Sequence, residues 1–261
     1  MRLDVVDSTN RWAADAAREG APAGLVVVAE QQTAGRGRLG RGWVAPRGAA
    51  LLCSIVLRPR LAAGDLHLVS TAVALAAADA AEGASGASIS LKWPNDLVVG
   101  DDKLGGVLAE VVAGADGADP AVLVVGVGLN LEASGVRALV ATEPAGGPVA
   151  VTGLAEIAGR AVARDEVLTA LLGSLARRFG PDGTPGASTM DEYRGRCSTI
   201  GRRVRVDTAR DSLTGSVVAI DDAGRLILEA GPSRLVLEAG DVVHLRSDPP
   251  GGEEGDRGPW G

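Results

Sequence analysis

Lysine is nearly missing from this chain. Of its 26 Lys and Arg residues, only Lys92 and Lys103 are lysine. Arginine-favouring codon usage would leave such a count by accident. The alternative is chemical: a guanidinium is a planar fork that stays charged, whereas an ammonium is a compact point charge on a flexible stem. Aromatic residues make up 2% of the 261 residues, so a core has to be built from Ala, Val and Leu. The two cysteines, Cys53 and Cys197, are too few for a disulfide framework and too isolated for a zinc site. Cys53 sits in the apolar run 51–57 and reads as a small buried hydrophobe. Positive charge is not in surplus: the formal net charge is -7. That argues against DNA or RNA as a general partner, which calls for a basic face. No run approaches the length of a membrane span, and the first residues have no apolar signal core. A cytoplasmic protein without membrane contact is expected.

What is present is 46% hydrophobic and 23% charged, the balance of a packed globular chain. The length suits one large domain, or one with a small appendix. Strands and helices alternate at first. A short strand opens residues 5–10, and Ser8 or Thr9 can cap a helix running to Arg18. Residues 24–30 and 50–57 read as strands. A helix is predicted over 65–82, with Asp65 as cap. Residues 88–93 and 103–112 read as strands across a turn at 100–102, and 121–131 as another. Residues 133–150, rich in Gly, Ala and Pro, read as a loop. Two helices are predicted over 151–179, with Asp165 capping the second, and a short helix near 189–194. After Cys197 short strands alternate with turns, as in a small β-barrel. Residues 247–261 have the composition of a disordered tail.

The densest signal is Thr33-Ala34-Gly35-Arg36-Gly37-Arg38-Leu39-Gly40-Arg41-Gly42-Trp43. Gly35, Gly37 and Gly40 match the glycine spacing of a dinucleotide-binding turn, but that turn must open a helix. Pro46, Gly48 and a strand follow instead. Glycines leave the loop free to order around a ligand. Arg36, Arg38 and Arg41 can converge on anionic oxygens, and Trp43 offers a plane for a ring. A solvated basic loop would share these residues, but arginines set between glycines and closed by a tryptophan favour a phosphate-bearing ligand.

The lysines follow, in Lys92-Trp93-Pro94-Asn95-Asp96 and Lys103-Leu104-Gly105-Gly106. Asn95 and Asp96 project polar groups at a strand end, where sites on α/β folds form. A plain Asn-Asp turn is the alternative. Asp96 could orient Lys92 or hold a metal. Gly105 and Gly106 allow a ligand close to the backbone. Gly126-Val127-Gly128-Leu129-Asn130 repeats that arrangement, a simple β-bulge being the other reading.

Taken together, and with Asp7-Ser8-Thr9-Asn10 and Glu30-Gln31-Gln32 before the loop, these motifs have the order and spacing of the biotin protein ligases. The chain resembles that family from about Asp4 to Arg246. The resemblance implies an α+β fold: a mixed central sheet with flanking helices, related to class II synthetases, over residues 1–196. A small SH3-like barrel would follow over 197–246. It implies biotin and MgATP as ligands, biotinoyl-5'-AMP as intermediate, and a lysine of the biotin carboxyl carrier domain of an acyl-CoA carboxylase as acceptor. Lys103 matches the catalytic lysine, with Arg36 and Arg38 beside it. Ser8, Thr9, Asn10, Gln32, Gly35, Gly37 and Gly106 match the biotin pocket. Arg38, Arg41, Trp43, Lys92, Asn95, Asp96 and Asn130 match the ATP side, Asp96 also as the Mg²⁺ residue. Because Ser8 stands so near the first residue, no winged helix and no repressor role are expected. A monomer or weak homodimer is expected. Leu39 stands where some members carry a further arginine.

Overall fold

The computed structural model describes residues 1–112, 121–140, 150–208 and 211–245. Seven strands form the central sheet: β1 (Arg2–Val6), β2 (Val26–Gln32), β3 (Ala50–Leu57), β4 (Ser90–Lys92), β5 (Asp96–Val99), β6 (Asp102–Val112) and β7 (Val122–Asn130). Their order is β1-β2-β3-β7-β6-β5-β4. Only β1 and β2 run parallel; every other neighbour is antiparallel. β3, β7 and β6 are the long central strands. The runs of β3 and β7 are buried on both faces, so they read as continuous apolar segments rather than alternating ones, whereas β6 is partly buried and leaves Val111 exposed.

Each face of the sheet has its own cover. Helix α2 (His67–Ser85) fills one side, with Val69, Val73, Leu75 and a run of alanines buried. Small side chains all round let it lie deep between the sheet and a further layer. That layer holds α4 (Leu154–Ala158), α5 (Arg164–Arg178) and α6 (Thr189–Arg196). A polar anchor ties it in: Asp79 of α2 accepts from Ser174 (2.6 Å), Arg178 (2.7 Å) and Arg196 (2.8 Å). On the opposite face lies α1 (Thr9–Arg18), capped by the Ser8 side chain, with Ala13 and Ala17 against Val27, Val56 and Val124.

After α6 come β8 (Arg203–Asp207), β9 (Ser212–Ile220), β10 (Leu226–Ala230), β11 (Ser233–Leu237) and β12 (Asp241–His244). They form an antiparallel sheet ordered β11-β10-β9-β8-β12. They make up the small C-terminal β unit expected, seen as a five-stranded antiparallel sheet, with no ladder joining β11 to β12 among the described residues. Its inner residues Val204, Val206, Ile220, Leu226 and Leu228 belong to the same apolar core as Leu91 and Trp93. The Trp93 indole N–H donates to Gly224 O at 2.9 Å, and the Trp93 backbone N–H to Thr199 Oγ1 at 3.1 Å.

Several local expectations change. The first strand lies at Arg2–Val6, before rather than after Val5. Asp65 does not cap α2: it ends a 3₁₀ turn over Ala63–Asp65, which moves the boundary to Leu66. Asp165 lies inside the first turn of α5, whose boundary residue is Ala163. Residues Asp96–Val99 form a strand, so the Trp93–Asp96 turn is itself a hairpin. The segment read as a loop from 133 begins with helix α3 (Ala133–Val140). The rest of that segment through 149, and the tail 247–261, lie outside the described residues. No helix among the described residues is long and apolar enough to cross a membrane.

Candidate functional site

A cleft of about 930 Å³ opens on the α1 face of the sheet, between the Gly-Arg loop, β6, β7 and the start of β12. Two glycines in β7 make the room. A Cβ at Gly126 would collide with the Asn10 amide, and one at Gly128 would stand 2.6 Å from the Trp43 ring. β7 pairs regularly with both neighbours, so these glycines do not mark a bulge. They let Asn10 and Trp43 lie directly on the sheet.

One end of the cleft is neutral and closely bonded. Ser8, Thr9 and Asn10, at the start of α1, are buried. Gln32 Oε1 accepts from the Thr9 backbone N–H at 2.7 Å and from Thr9 Oγ1 at 2.9 Å. Ser54 Oγ lies 2.8 Å from Thr9 Oγ1 and 2.6 Å from Asn10 Oδ1. Asn10 Nδ2 donates to Glu110 Oε2 at 2.8 Å and to Leu108 O at 3.2 Å. Helix α1 begins here because Ser8 Oγ accepts from the Arg11 N–H and Gln32 Oε1 from the Thr9 N–H, which fixes Thr9 and Asn10 over β3 and β7.

The other end is charged. The loop closes on itself through Trp43 N to Gly35 O (2.9 Å) and Gly37 N to Arg41 O (2.8 Å). A 3₁₀ turn forms its tip at Arg38–Gly40, with Leu39 held at φ 54°. Gly37 and the three arginines are thereby gathered along one rim, while Gly35 lies outside the lining, packed so closely that a Cβ there would strike Trp43 O. Arg36 pairs with Glu110 at 2.9 Å and Arg41 with Asp241 of β12 at 2.5 Å. Lys103 Nζ donates to Asp96 Oδ1 at 2.7 Å and lies 5.9 Å from the Trp43 ring centroid. Asp96 therefore hydrogen-bonds Lys103, not Lys92, its cross-strand partner on β4. Gly106 makes this possible: a Cβ there would stand 3.2 Å from Asp96 Oδ1.

Arg38 and Lys92 also line the cleft, with no ion pair among the described residues. Burial lowers the Arg38 pKa, with Asp96 and Asp241 opposing. Burial likewise lowers that of Lys92; Asp96 and Asp241 oppose, and Lys103 adds to the drop. Both cations thus gain from an arriving anion, which would return what desolvation removes. Asn95 donates from Nδ2 to Val107 O at 2.8 Å and borders the cleft.

Asn130 does not line the cleft. It is buried at the end of β7, where Nδ2 donates to Thr152 O at 3.1 Å and Oδ1 has no protein partner. Two acids that bond residues of the cleft wall, Glu110 behind it and Asp241 within it, carried no motif. Glu110 follows Gly106 and Leu108 on one face of β6 by the two-residue period, the one signal that could have found it. Asp241 is 200 residues from Arg41, and sequence spacing gives no such distance.

This cleft, with a neutral hydrogen-bonding end, a glycine-arginine rim and a lysine opposite, suits a ligand that is neutral at one end and anionic at the other. The family profile "Biotin/lipoate A/B protein ligase family" matches residues 3–130, and "Biotin protein ligase C terminal domain" matches 199–245. The chain is 37% identical over 254 residues to the biotin–[acetyl-CoA-carboxylase] ligase of Mycobacterium tuberculosis, covering 94% of this chain and 90% of that one. It is 36% identical over 243 residues to the enzyme of that name from Paracoccus denitrificans, covering 90% and 96%. The structure of a biotin protein ligase from Aquifex aeolicus in complex with biotin and ATP superposes with a TM-score of 0.74, at 26% identity, over 95% of this chain and 98% of that one. The chain belongs to the biotin protein ligase family.

Proposed function

We propose that this chain is a biotin–[acetyl-CoA-carboxylase] ligase acting in the cytoplasm. It activates biotin with ATP as biotinoyl-5'-AMP and transfers the acyl group to a lysine of a carboxylase carrier domain. The observation that carries this reading is the two-ended cleft. A neutral hydrogen-bonding pocket and a cationic rim meet at Lys103. Residues 1–196 are the ligase domain and 197–246 the C-terminal domain in this reading, supported by the new sheet that starts after α6.

Ser8, Thr9, Asn10 and Gln32 present the donors and acceptors that suit a neutral ureido ring. Gly35, Gly37 and Gly106 keep the walls close. The biotin carboxylate then points towards Lys103. A carboxylate oxygen attacks the α-phosphorus, the P–O bond to the β-phosphate breaks, and pyrophosphate leaves. Two anions have to meet, so positive charge placed beforehand lowers the barrier. Lys103, Arg36 and Arg38 supply it. The Lys103 ammonium can follow the oxygens as a point charge while Asp96 holds it. Arg41, Lys92 and Asn95 serve the phosphates, and Trp43 the adenine side. Asn130 acts on that side only through the wall it supports. In the second step the neutral carrier amine attacks the acyl carbon, AMP leaves, and the amine loses a proton.

Among the described residues no group of three or more His, Cys, Asp or Glu side chains could hold a metal. A nucleotide's Mg²⁺ needs only one or two carboxylates beside phosphate and water, and Asp96 fits, with Oδ1 given to Lys103. When bound there, the ion would neutralise phosphate charge.

The test is ATP–pyrophosphate exchange with biotin and with lipoate, followed by transfer of labelled biotin to a carrier domain. Biotin-dependent exchange and transfer are expected. Exchange with lipoate alone would move the chain to the lipoate branch, and none from folded protein would end the ligase reading.

A further inference from the structure

We propose that Glu110 is a positioning residue that fixes the biotin-head pocket and the Gly-Arg loop to one another. The inference rests on the ligase reading above. Glu110 stands on β6 with its side chain 27% exposed, outside the cleft lining but bonded to one lining residue of each end. Its two carboxylate oxygens have different partners. Oε2 accepts from Asn10 Nδ2 at 2.8 Å, and Oε1 meets Arg36 at 2.9 Å.

The contact with Asn10 sets an orientation. An ionised carboxylate only accepts, so Asn10 must turn its Nδ2 to Glu110 and Leu108 and its Oδ1 to Ser54. With Glu110 gone, the amide could rotate and present the opposite polarity to a ligand. The contact with Arg36 acts on the loop. Only Nη2 of the half-exposed Arg36 meets Glu110, so Glu110 can keep hold of the guanidinium while its Nε–H and Nη1–H groups remain to meet an arriving phosphate. Together the contacts complete a chain of side chains: Gln32, Thr9, Ser54, Asn10, Glu110 and Arg36. It starts at the end of β2 and returns to the loop four residues further on. The root of the loop is thus clasped by the pocket for the ureido ring. A pocket that holds its amide correctly therefore also holds Arg36 where it retains the adenylate.

Glu110→Gln and Glu110→Ala separate the two contacts. The glutamine oxygen still accepts from Asn10 but no longer pairs with Arg36. For Glu110→Gln we expect biotin affinity by calorimetry within about twofold of wild type, and biotinoyl-AMP release about fivefold faster. For Glu110→Ala we expect biotin affinity to fall about tenfold as well, the size of a lost hydrogen bond to a charged group. Arg36→Ala and the Arg36→Ala/Glu110→Gln pair should release the adenylate at the same rate, because both remove one contact. A merely structural glutamate would not give this split or this non-additivity. Release unchanged in Glu110→Gln, rates that add with Arg36→Ala, or biotin affinity unchanged in Glu110→Ala would each overturn the proposal. If the wild-type protein binds no biotin and forms no adenylate, the ligase reading fails instead.

Discussion

The two ends of the cleft are built on opposite principles. At the head pocket, Thr9, Asn10 and Gln32 are neutral, and Thr9 and Asn10 are buried under a helix start. Their bonds are made before any ligand arrives. At the rim, Arg36, Arg41 and Lys103 are cations, each already paired with a carboxylate of the same chain. A neutral ligand group gains from rigid donors, since little order has to be imposed on binding. A phosphate gains from cations that can change partners. Glu110, Asp241 and Asp96 keep those cations from repelling one another until the nucleotide comes. One end is preorganised by hydrogen bonds, and the other is held ready by substitute anions.

Replacing Lys103 tests the charged end most severely. Lys103→Ala should lower biotin-dependent ATP–pyrophosphate exchange about 10²–10³-fold, the loss for one missing transition-state donor. Lys103→Arg should not restore it, because a fork cannot take the place of a point charge. Thermal melts should show the same folded protein, and exchange near the wild-type rate would refute the assignment. The neutral end is broken by Gly126→Ala. The new Cβ pushes Asn10 off the sheet, and biotin affinity should drop about 10–100-fold for disturbed buried hydrogen bonds. Calorimetry should find ATP affinity lowered less than biotin affinity, with the smaller loss passing from Asn10 through Glu110 to Arg36; an unchanged biotin affinity would show that Asn10 does not shape the neutral end.

A smaller effect is expected where the rim touches the second sheet. Arg41→Ala and Asp241→Asn each remove one partly exposed ion pair, at a stability cost below about 1 kcal/mol. Hydrogen exchange across residues 37–42 should quicken alike in both, and the difference from wild type should shrink in high salt. Loops that exchange as in wild type would show that the pair does not hold the rim. The smallest effect is one of pH. His244 of β12 is nearly buried, with Thr199, Asp101, Lys92 and Arg202 around it. Burial, then Lys92, lowers its pKa below the ordinary 6.5. The unfolded chain thus binds the proton more readily. His244 then favours folding above 6.5, and that stability is lost as pH falls from there through the folded pKa. His244→Gln should flatten the melting temperature against pH in this window, and an unchanged slope would show that His244 is not the group titrating.

Much of this fold is legible in the sequence because its signals are local. β3 has the bounds its apolar run predicts, and the strands after Cys197 fall between the turns that Gly224 and its neighbours announce. β5 was hidden because Trp93-Pro94-Asn95-Asp96 looks like the end of a strand, although Asp96 opens the next. Helix α3 was hidden by Gly135 and Ser134, poor helix formers that packing against α4 overrides. The motifs of the cleft were legible for a different reason: unusual residues recur at short spacing, and the structure gathers them. Their partners were not. Glu110 and Asp241 are ordinary acids until the fold sets them opposite an arginine. Asn130 stands outside the cleft lining, and a polar residue ending a glycine-rich strand gives no sign of which side of the wall it faces.

The pairing of Lys103 with Asp96 has a consequence for what this protein does to itself. A mixed anhydride of an acid and a phosphate acylates any free amine it meets. This chain has three: two lysines, both in the cleft wall, and the terminal amine of Met1, which donates to Val26 O at 2.7 Å. Lys103 is engaged by Asp96, whereas Lys92 has no ion pair among the described residues and burial lowers its pKa. An escaping activated acid would therefore find Lys92 and the terminal amine on its own maker, and otherwise would leave for water or for another protein's lysine.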